Sequence, residues 1–414
     1  MAIADLEPAS IDLSTTDLFH DGPPHEAFRV LRDREPVHWN PPNPRWVGSR
    51  DPGGFWSITK AADISAVARD SEGTSVNEGI LQNGDEPLPV EVMRTQLTGM
   101  DPPRHTKYRK LLTSAFTARA VAAQGEAIRA RTTKLLDAMM DSPDQDFVRD
   151  FAALLPSQVI ADMLGFPPEM DRQFHIWTND ILDMQNSGAQ ERAARAFREI
   201  DQYTAELVEQ RLREPREDLL TRLLFAEEDG DRLDPAELGS FVTQMIVAGN
   251  DTTLASLAGG VWALSQHPEQ WSALRHDPSV MRNAVEEIIR WVSPILYTRR
   301  TATRDFQLRD KKISAGDKLI QWFVSGNRDE ELNDNPQIFD IRRDNVKHVS
   351  FGGGGFRLCI GATLSRLELK IALEELAARV EHLNMTKPPI QLESSFMASY
   401  QSMPVRFDIQ LARS

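Results

Sequence analysis

The chain has 414 residues, of which 41% are hydrophobic and 26% charged, a composition typical of a globular protein with a large core rather than of a disordered one. Its net charge of −15 argues against nucleic acid as a partner, because phosphate binding depends on basic surface. The single cysteine excludes an internal disulfide and any all-cysteine zinc or iron–sulfur site, although it leaves one thiolate ligand.

The N-terminal region predicts no targeting segment and little regular helix. The segment MAIADLEPASIDLSTTD is acidic and lacks both a signal pattern and an apolar anchor. No stretch reaches the roughly 18 to 20 apolar residues of a membrane span, so we expect a cytoplasmic protein. Further on, PVHWNPPNPRWVGSRDPGGFWSITK predicts short strands and turns before a helix at about Ala61 to Asp70.

The middle of the chain predicts a helical body. From Pro102 to about His276, apolar residues recur mostly at spacings of three and four, with breaks that include Gly165 to Pro168 and Glu214-Pro215. The longest predicted helix has Asp234 as its N-cap and Pro235 in its first turn, and it runs until Pro268. We expect this helix to cross the molecule.

Small and polar residues stand in the centre of that helix. Ala248 and Gly249 are followed, after Asn250, by Asp251, Thr252 and Thr253, residue types that helix interiors usually avoid. One interpretation is that the Thr252 hydroxyl bonds back to a carbonyl one turn earlier and bends the helix. The alternative is a local opening of the helix beside a bound ligand.

Beyond Trp291 the pattern changes to strands and loops, as in TATRDFQLRDKKISAGDKLIQWFV. A last helix is predicted from about Ile360 to Val380, followed by a short strand-like tail. The chain contains no internal repeat, low-complexity tract or linker. We therefore expect one domain over residues 1–414, mainly α with a small β-rich region.

The segment FGGGGFRLCIG, residues 351 to 361, places four glycines before the only cysteine. A lone cysteine is usually a small buried hydrophobic residue, which is the simplest interpretation of Cys359. A run of glycines is costly in chain entropy, however, and is useful only where the backbone turns tightly or something approaches it closely. The glycines therefore favour a ligand near Cys359.

Two charged pairs have helical spacing. Glu287 and Arg290 lie three residues apart in AVEEIIRW, and His105 and Arg109 lie four apart in DPPRHTKYRK, so each pair shares a helix face. Taken alone, the first pair indicates a surface ion pair and the second a solvated basic face. His105 and Arg109 could also point at one anion.

The order of these segments resembles bacterial soluble members of the cytochrome P450 superfamily. The resemblance rests on AGNDTT at 248–253, ExxR at 287–290, SGNRDE at 325–330 and the glycine-rich stretch with Arg357 and Cys359. It covers nearly the whole chain, from about Phe28 to the end. It implies a triangular helical prism, with heme b (iron protoporphyrin IX) between the long central helix and the helix that follows the cysteine.

By this resemblance, Cys359 is the axial iron ligand, whose electron donation favours cleavage of the O–O bond. Amide N–H groups at a tight turn can bond the sulfur and tune that donation. The other heme-binding residues that the resemblance implies are His105, Arg109, Arg300, Arg357, Gly353, Gly355, Gly361, Ala248 and Gly249. Four of these are cationic or imidazole groups matched to the heme propionates, with Arg299 as the competitor of Arg300. Phe351 lies one residue farther from Cys359 than in the usual pattern, which leaves open whether it packs under the sulfur.

The resemblance also assigns catalytic, structural and substrate-contacting residues. Asp251 and Thr252 form the acid–alcohol pair that delivers protons, and Glu287, Arg290 and Arg343 form a buried structural charge network. The expected pocket wall consists of Ile80, Leu81, Met93, Val247, Ala248, Ile295, Leu296, Phe396 and Met397. This wall is apolar, and together with the long glycine loop it favours a terpenoid, steroid or fatty-acid-like substrate, with a polyketide or macrolide as an alternative.

The expected activity is a heme-thiolate monooxygenase reaction with O2. The chain contains no flavin or iron–sulfur domain, so the resemblance implies a ferredoxin and an NAD(P)H-dependent ferredoxin reductase as electron donors. We expect an acidic ferredoxin to dock near Lys107 and Lys110. A peroxide-driven hydroxylase and a non-catalytic heme sensor are the rival functions, and the acid–alcohol pair speaks against the first.

Overall fold

The computed structural model describes residues 6–84, 90–113, 116–182, 190–228 and 230–409. The helices within these residues are α1 (His25–Arg34), α2 (Ala61–Arg69), α3 (Val90–Met93), α4 (Arg104–Thr113), α5 (Ala118–Ala122), α6 (Gly125–Met140), α7 (Leu154–Leu164), α8 (Asp171–Leu182), α9 (Gln190–Arg213), α10 (Leu219–Leu224), α11 (Pro235–Ser265), α12 (Pro268–His276), α13 (Met281–Val292), α14 (Phe323–Gly326) and α15 (Ala362–Arg379). None of them is long and apolar enough to cross a membrane.

The strands are short and form small sheets. They are β1 (Val37–Asn40), β2 (Phe55–Ile58), β3 (Thr74–Ser75), β4 (Tyr297–Ala302), β5 (Phe306–Leu308), β6 (Lys311–Ile313), β7 (Lys318–Trp322), β8 (Val380–Met385), β9 (Ile390–Gln391), β10 (Tyr400–Ser402) and β11 (Val405–Ile409). The largest sheet has the order β1-β2-β7-β4-β3, in which only β2 and β7 pair in parallel. The prediction of a mainly α chain with a small β-rich region is confirmed.

Helix α11 runs through the main apolar core. Asp234 and Glu237 form a capping box at its start, with Pro235 in the first turn, and Gln266 ends it two residues before Pro268 opens α12. Helices α7, α9, α13 and α15 pack against α11. The helix is continuous over its 31 residues, including Ala248 to Thr253, as the back-bonding interpretation of Thr252 requires.

The loop between α14 and α15 carries the glycine-rich segment. Gly352, Gly353, Gly354 and Gly355 all have positive φ, at 100°, 74°, 96° and 75°. A Cβ on Gly353 would lie 3.1 Å from the Ile64 side chain of α2, and one on Gly355 would lie 2.9 Å from Arg69 Cγ. Glycine is therefore required here both by backbone conformation and by the close approach of α2.

Candidate heme-binding and active site

The thiol of Cys359 lies at the start of α15 inside a tight turn. The Cys359 N–H donates to the Phe351 carbonyl at 3.0 Å. The thiol has accessible surface, yet burial raises its pKa even though the backbone N–H groups of Gly361 and Ala362 act in the opposite direction. The thiol is therefore accessible although protein groups surround it.

Helix α11 has one accessible stripe in an otherwise buried stretch. Besides Gly249, five positions from Gln244 to Thr252 retain accessible surface, whereas the described residues from Thr253 to Val261 are all buried; the five are Gln244, Val247, Ala248, Asp251 and Thr252. These five positions follow the spacing of one helix face. Ala248 is exposed although it lies in the middle of a core helix, so this face borders a cavity.

The Thr252 hydroxyl lies on this stripe and donates to the Ala248 carbonyl at 2.9 Å. One turn later, the Ser256 hydroxyl donates to the Thr252 carbonyl at 2.8 Å. The back-bonding predicted by the simpler interpretation is therefore present. It leaves the Thr252 oxygen free to accept a hydrogen bond, because a hydroxyl carries one donor and two acceptor positions.

A cluster of cationic side chains lies beside α4. Arg357 forms an ion pair with Asp101 at 2.6 Å and also donates to the Met100 carbonyl. Burial, with the neighbouring Arg357 charge, lowers the pKa of Arg300 to about 9, and among the described residues this guanidinium has no carboxylate partner. Its only hydrogen bond there goes to the Arg299 carbonyl.

His105 and Arg109 complete the cluster. Burial, followed by the charges of Arg357 and Arg109, lowers the pKa of His105 to about 4, and its buried Nδ1 has no hydrogen-bond partner within the described ranges. Burial also lowers the pKa of Arg109, which lies within electrostatic reach of Cys359. The cluster thus holds three guanidinium groups and an imidazole against one carboxylate.

This excess of buried positive charge fits an anionic cofactor. Unpaired buried cations are costly, and paired carboxylates such as heme propionates would neutralise them. The competing residue, Arg299, instead pairs with Asp51 at 2.7 Å. The donor set, next to an accessible thiol, is chemically suited to heme.

The predicted pocket residues fall into two groups. In the first, Ile295 pairs with Met397 in an isolated bridge, and the Leu296 N–H donates to the Phe396 carbonyl at 2.8 Å. Ile80 and Leu81 belong to the same apolar cluster as Leu296 and Phe396.

The second group consists of Val247 and Ala248 on α11 and Met93 at the end of α3. The segment after α3 is tied to this helix because the Leu97 N–H donates to Gln244 Oε1 at 2.9 Å. The hydroxyls of Thr95 and Ser240 also lie 2.8 Å apart.

Glu287 and Arg290 form a buried pair, so the surface interpretation is wrong. Both side chains are 0% exposed, and Arg290 Nε lies 2.7 Å from Glu287 Oε2. Arg343 contacts the same carboxylate at 3.3 Å, and Arg290 also donates to the carbonyls of Asn327, Pro336 and Ile338. This network links α13 to the segment before the cysteine loop.

We predict that Glu287→Ala lowers the free energy of unfolding by about 3–5 kcal/mol, because it leaves Arg290 buried without its carboxylate. The midpoint of urea unfolding measures the change. Glu26→Ala is the matched control, since Glu26 and Arg29 have the same spacing at 2.9 Å but are roughly half exposed. Its expected cost is about 0–1 kcal/mol. Equal costs in the two variants would contradict the buried role.

Glu368 on α15 was not singled out from the sequence, because a glutamate in a helix ordinarily lies on the surface. It is 2% exposed, and its Oε2 has no hydrogen-bond partner in the described part of the chain. Burial raises its pKa to about 8. The side chain is therefore protonated at neutral pH.

This assignment predicts a pH-dependent stability. Between the ordinary pKa of 4.5 and about 8, the unfolded chain has released the Glu368 proton and the folded chain has not. The free energy of unfolding therefore falls as pH rises, by up to about 1.4 kcal/mol per pH unit, and stops changing above the folded pKa. Urea unfolding of Glu368→Gln from pH 5 to 8 should lack this slope. Identical slopes in the two proteins would contradict it.

Comparisons with known proteins also point to a heme-binding enzyme. The family model for cytochrome P450 matches residues 88–407. A methyl-branched lipid omega-hydroxylase of Mycobacterium tuberculosis is 36% identical, covering 97% of this chain and 95% of that protein. A steroid C26-monooxygenase of Rhodococcus jostii is 32% identical, with coverage of 97% and 85%. A Mycobacterium marinum cytochrome P450, solved in complex with pseudoionone, superposes with a TM-score of 0.85 at 33% identity, covering 96% of this chain and 98% of that one.

The superposition confirms the predicted cytochrome P450 fold, and the family implies a heme bound through a cysteine thiolate. The single thiol and the excess of cationic groups fit the chemistry of such a cofactor. The chain belongs to the cytochrome P450 family and is a heme-thiolate monooxygenase.

Proposed function

We propose that this enzyme uses heme b, held by Cys359, to hydroxylate a lipid-like molecule of the terpenoid, steroid or fatty-acid class. The observation that carries the proposal is the similarity, over almost the whole chain, to enzymes named for methyl-branched lipids and steroids. The partly exposed apolar side chains of Val247, Ile295 and Phe396 suit such a substrate, because they can be buried against it.

The residues of the chain divide the work of cofactor binding. Heme, when bound, supplies the activation of O2. The propionates are held by Arg300, Arg357, Arg109 and His105. Binding them offsets the free-energy cost of burying the guanidinium charges. Gly353 and Gly355 let the backbone pass close to α2, so that Cys359 is presented at a tight turn.

Thr252 and Asp251 provide the proton path in this proposal. The Thr252 hydroxyl holds its proton toward the Ala248 carbonyl and can turn it toward the cavity that the accessible stripe borders. Asp251 is a carboxylate on the same stripe and can exchange protons with water. A peroxide-driven hydroxylase has no need of either group.

A titration panel tests the substrate class. Purified heme-loaded protein is titrated with a methyl-branched fatty acid, a steroid and a terpenoid ketone, and a macrolide serves as the comparison. We expect the heme absorption to shift, as bound water is displaced, with at least one of the first three and not with the macrolide. Binding of the macrolide alone would refute the lipid assignment and favour the polyketide alternative.

We also propose that a ferredoxin, reduced by an NAD(P)H-dependent reductase, supplies electrons at the face where α2 covers the cysteine loop. The two lysines expected from the sequence to dock the ferredoxin form ion pairs within the molecule, Lys107 with Asp231 at 2.7 Å and Lys110 with Glu228 at 3.0 Å. Arg69 is exposed, lies 3.3 Å from the Cβ position of Gly354, and has no ion pair among the residues described. An acidic ferredoxin would find an unpaired cation there.

We predict that Arg69→Glu slows ferredoxin-supported heme reduction by roughly tenfold at low salt and by less at high salt, because a docking charge is reversed. Stopped-flow reduction measures the rate. Arg198→Glu, at an exposed position of α9, is the matched control and should leave the rate unchanged. Equal rates in both variants at low salt would place the docking surface elsewhere, while an unchanged substrate titration shows that the pocket is intact.

A further inference from the structure

The cysteine loop has little packing of its own. Four successive glycines in the left-handed region carry no side chains that could hold the turn, and this backbone loses much entropy on ordering. Even so, the thiol of an axial ligand has to be held in one position. Contacts from outside the loop must therefore supply the order.

One guanidinium contacts both flanks of this loop. Arg366 on α15 has its Cζ 4.5 Å from the centre of the Phe351 ring, eight residues before Cys359. Its NH1 also donates to the Ala362 carbonyl at 3.3 Å, three residues after Cys359. Because the Phe351 carbonyl accepts the Cys359 N–H, both contacts bear directly on the turn that presents the sulfur.

A carboxylate on another helix fixes this guanidinium. Glu286 of α13 binds Arg366 through both oxygens, at 2.6 Å to Nε and 2.9 Å to NH2, which sets the plane of the fork. Its Oε2 also lies 3.0 Å from His348 Nε2, and the His348 ring is 5.6 Å from that of Phe351. Glu286 thus holds the guanidinium and the imidazole that contact Phe351.

The strength of these contacts supports a positional role. Burial acts to raise the pKa of Glu286, but the hydrogen bonds from His348 and Arg366 outweigh it and lower the pKa to about 2, so the carboxylate stays ionised. Arg366 is about a third exposed, so solvent screens part of its attraction to Glu286, but the two-bond geometry still fixes the orientation of the guanidinium.

We propose that Arg366, oriented by Glu286, is a positioning residue. Through its contacts with Phe351 and Ala362, it fixes the Cys359 thiolate in the position from which it would bind the heme iron. The inference rests on the proposed role of Cys359 as the iron ligand. It also describes the surroundings of Phe351 in the longer loop: its ring contacts Arg366 and His348, and its carbonyl accepts from the Cys359 N–H.

The test follows thiolate ligation in heme-loaded protein, reduced chemically and exposed to CO, so that no protein partner takes part. In Arg366→Gln we expect the thiolate band to convert to the non-thiolate band about 10- to 100-fold faster at mild urea concentration, a loss comparable to that of other outer partners of metal ligands. Lys370→Gln is the matched control, because it removes the same charge one turn along α15. The native Lys370 pairs with Glu374 and not with Glu286. It should behave as wild type.

One further variant and one further measurement separate the contacts of the guanidinium from its charge. Arg366→Lys keeps the charge but loses the planar guanidinium, so we expect the thiolate band to convert nearly as fast as in Arg366→Gln. Full wild-type behaviour would refute the proposed role of the guanidinium contacts. Hydrogen exchange in the heme-free protein should show faster exchange at the Cys359 amide in both variants. Wild-type conversion rates in Arg366→Gln would refute the inference alone, whereas absence of a thiolate band in the wild type would refute the proposed ligand.

Discussion

Cys359→His is expected to abolish the red-shifted absorption of the reduced CO complex and to reduce substrate oxidation to background. The band arises because sulfur donation raises the energy of the iron and porphyrin orbitals that mix. Histidine can keep the heme but cannot supply that donation. Since the chain has only one cysteine, no second thiol can replace Cys359.

The measurement is a difference spectrum of reduced protein with and without CO, after heme content has been matched by its absorbance. Cys359→Ser serves as the second variant, because it is closer in size to the native side chain. Retention of the red-shifted band in either variant would show that the band does not depend on Cys359 and would remove the basis of the site.

The second large effect is expected for Thr252→Ala. The protein should bind heme and substrate normally and still consume NADPH, but most of the electrons should end in hydrogen peroxide. The fraction of NADPH that yields product should fall to roughly a tenth or less, because loss of a positioned proton donor slows proton transfer by about 10²–10⁴-fold. Product and peroxide are measured per NADPH consumed.

The matched control is Thr253→Ala, since Thr253 carries the same hydroxyl one residue later but is 2% exposed and lies off the accessible stripe. It should leave the ratio unchanged. Asp251→Asn should instead slow turnover, with a solvent isotope effect, because the titrating group is lost. If Thr252 only bonds to the Ala248 carbonyl, Thr252→Ala changes stability and keeps the product ratio, which would contradict the proton path.

Local signals in the sequence predicted the long helix well. Asp234, Pro235 and Pro268 define its ends through capping and the missing proline N–H, which depend on neighbouring residues alone. The helix continues through Ala248 to Thr253 because Thr252 and Ser256 satisfy their hydroxyls on helix carbonyls without breaking the backbone ladder.

Features that depend on distant partners could not be predicted in the same way. Lys110 pairs with Glu228, 118 residues along the chain, so its charge looked available in the sequence. The packing of Phe351 depends on Arg366 and on His348, which Glu286 holds from another helix. Glu368 has the pattern of a surface glutamate and is buried only because of how α15 packs.

Oxidation of a lipid substrate under heavy-isotope dioxygen tests the central claim most directly. The heme-loaded enzyme is supplied with NADPH, a ferredoxin and its reductase, and the product is analysed by mass spectrometry. The account predicts a hydroxylated product that carries one oxygen atom from dioxygen, formed only when the electron donors are present. Substrate binding with no oxidised product would contradict it in favour of a sensor, and product formed from added peroxide without labelled oxygen would contradict it in favour of a peroxide-driven enzyme.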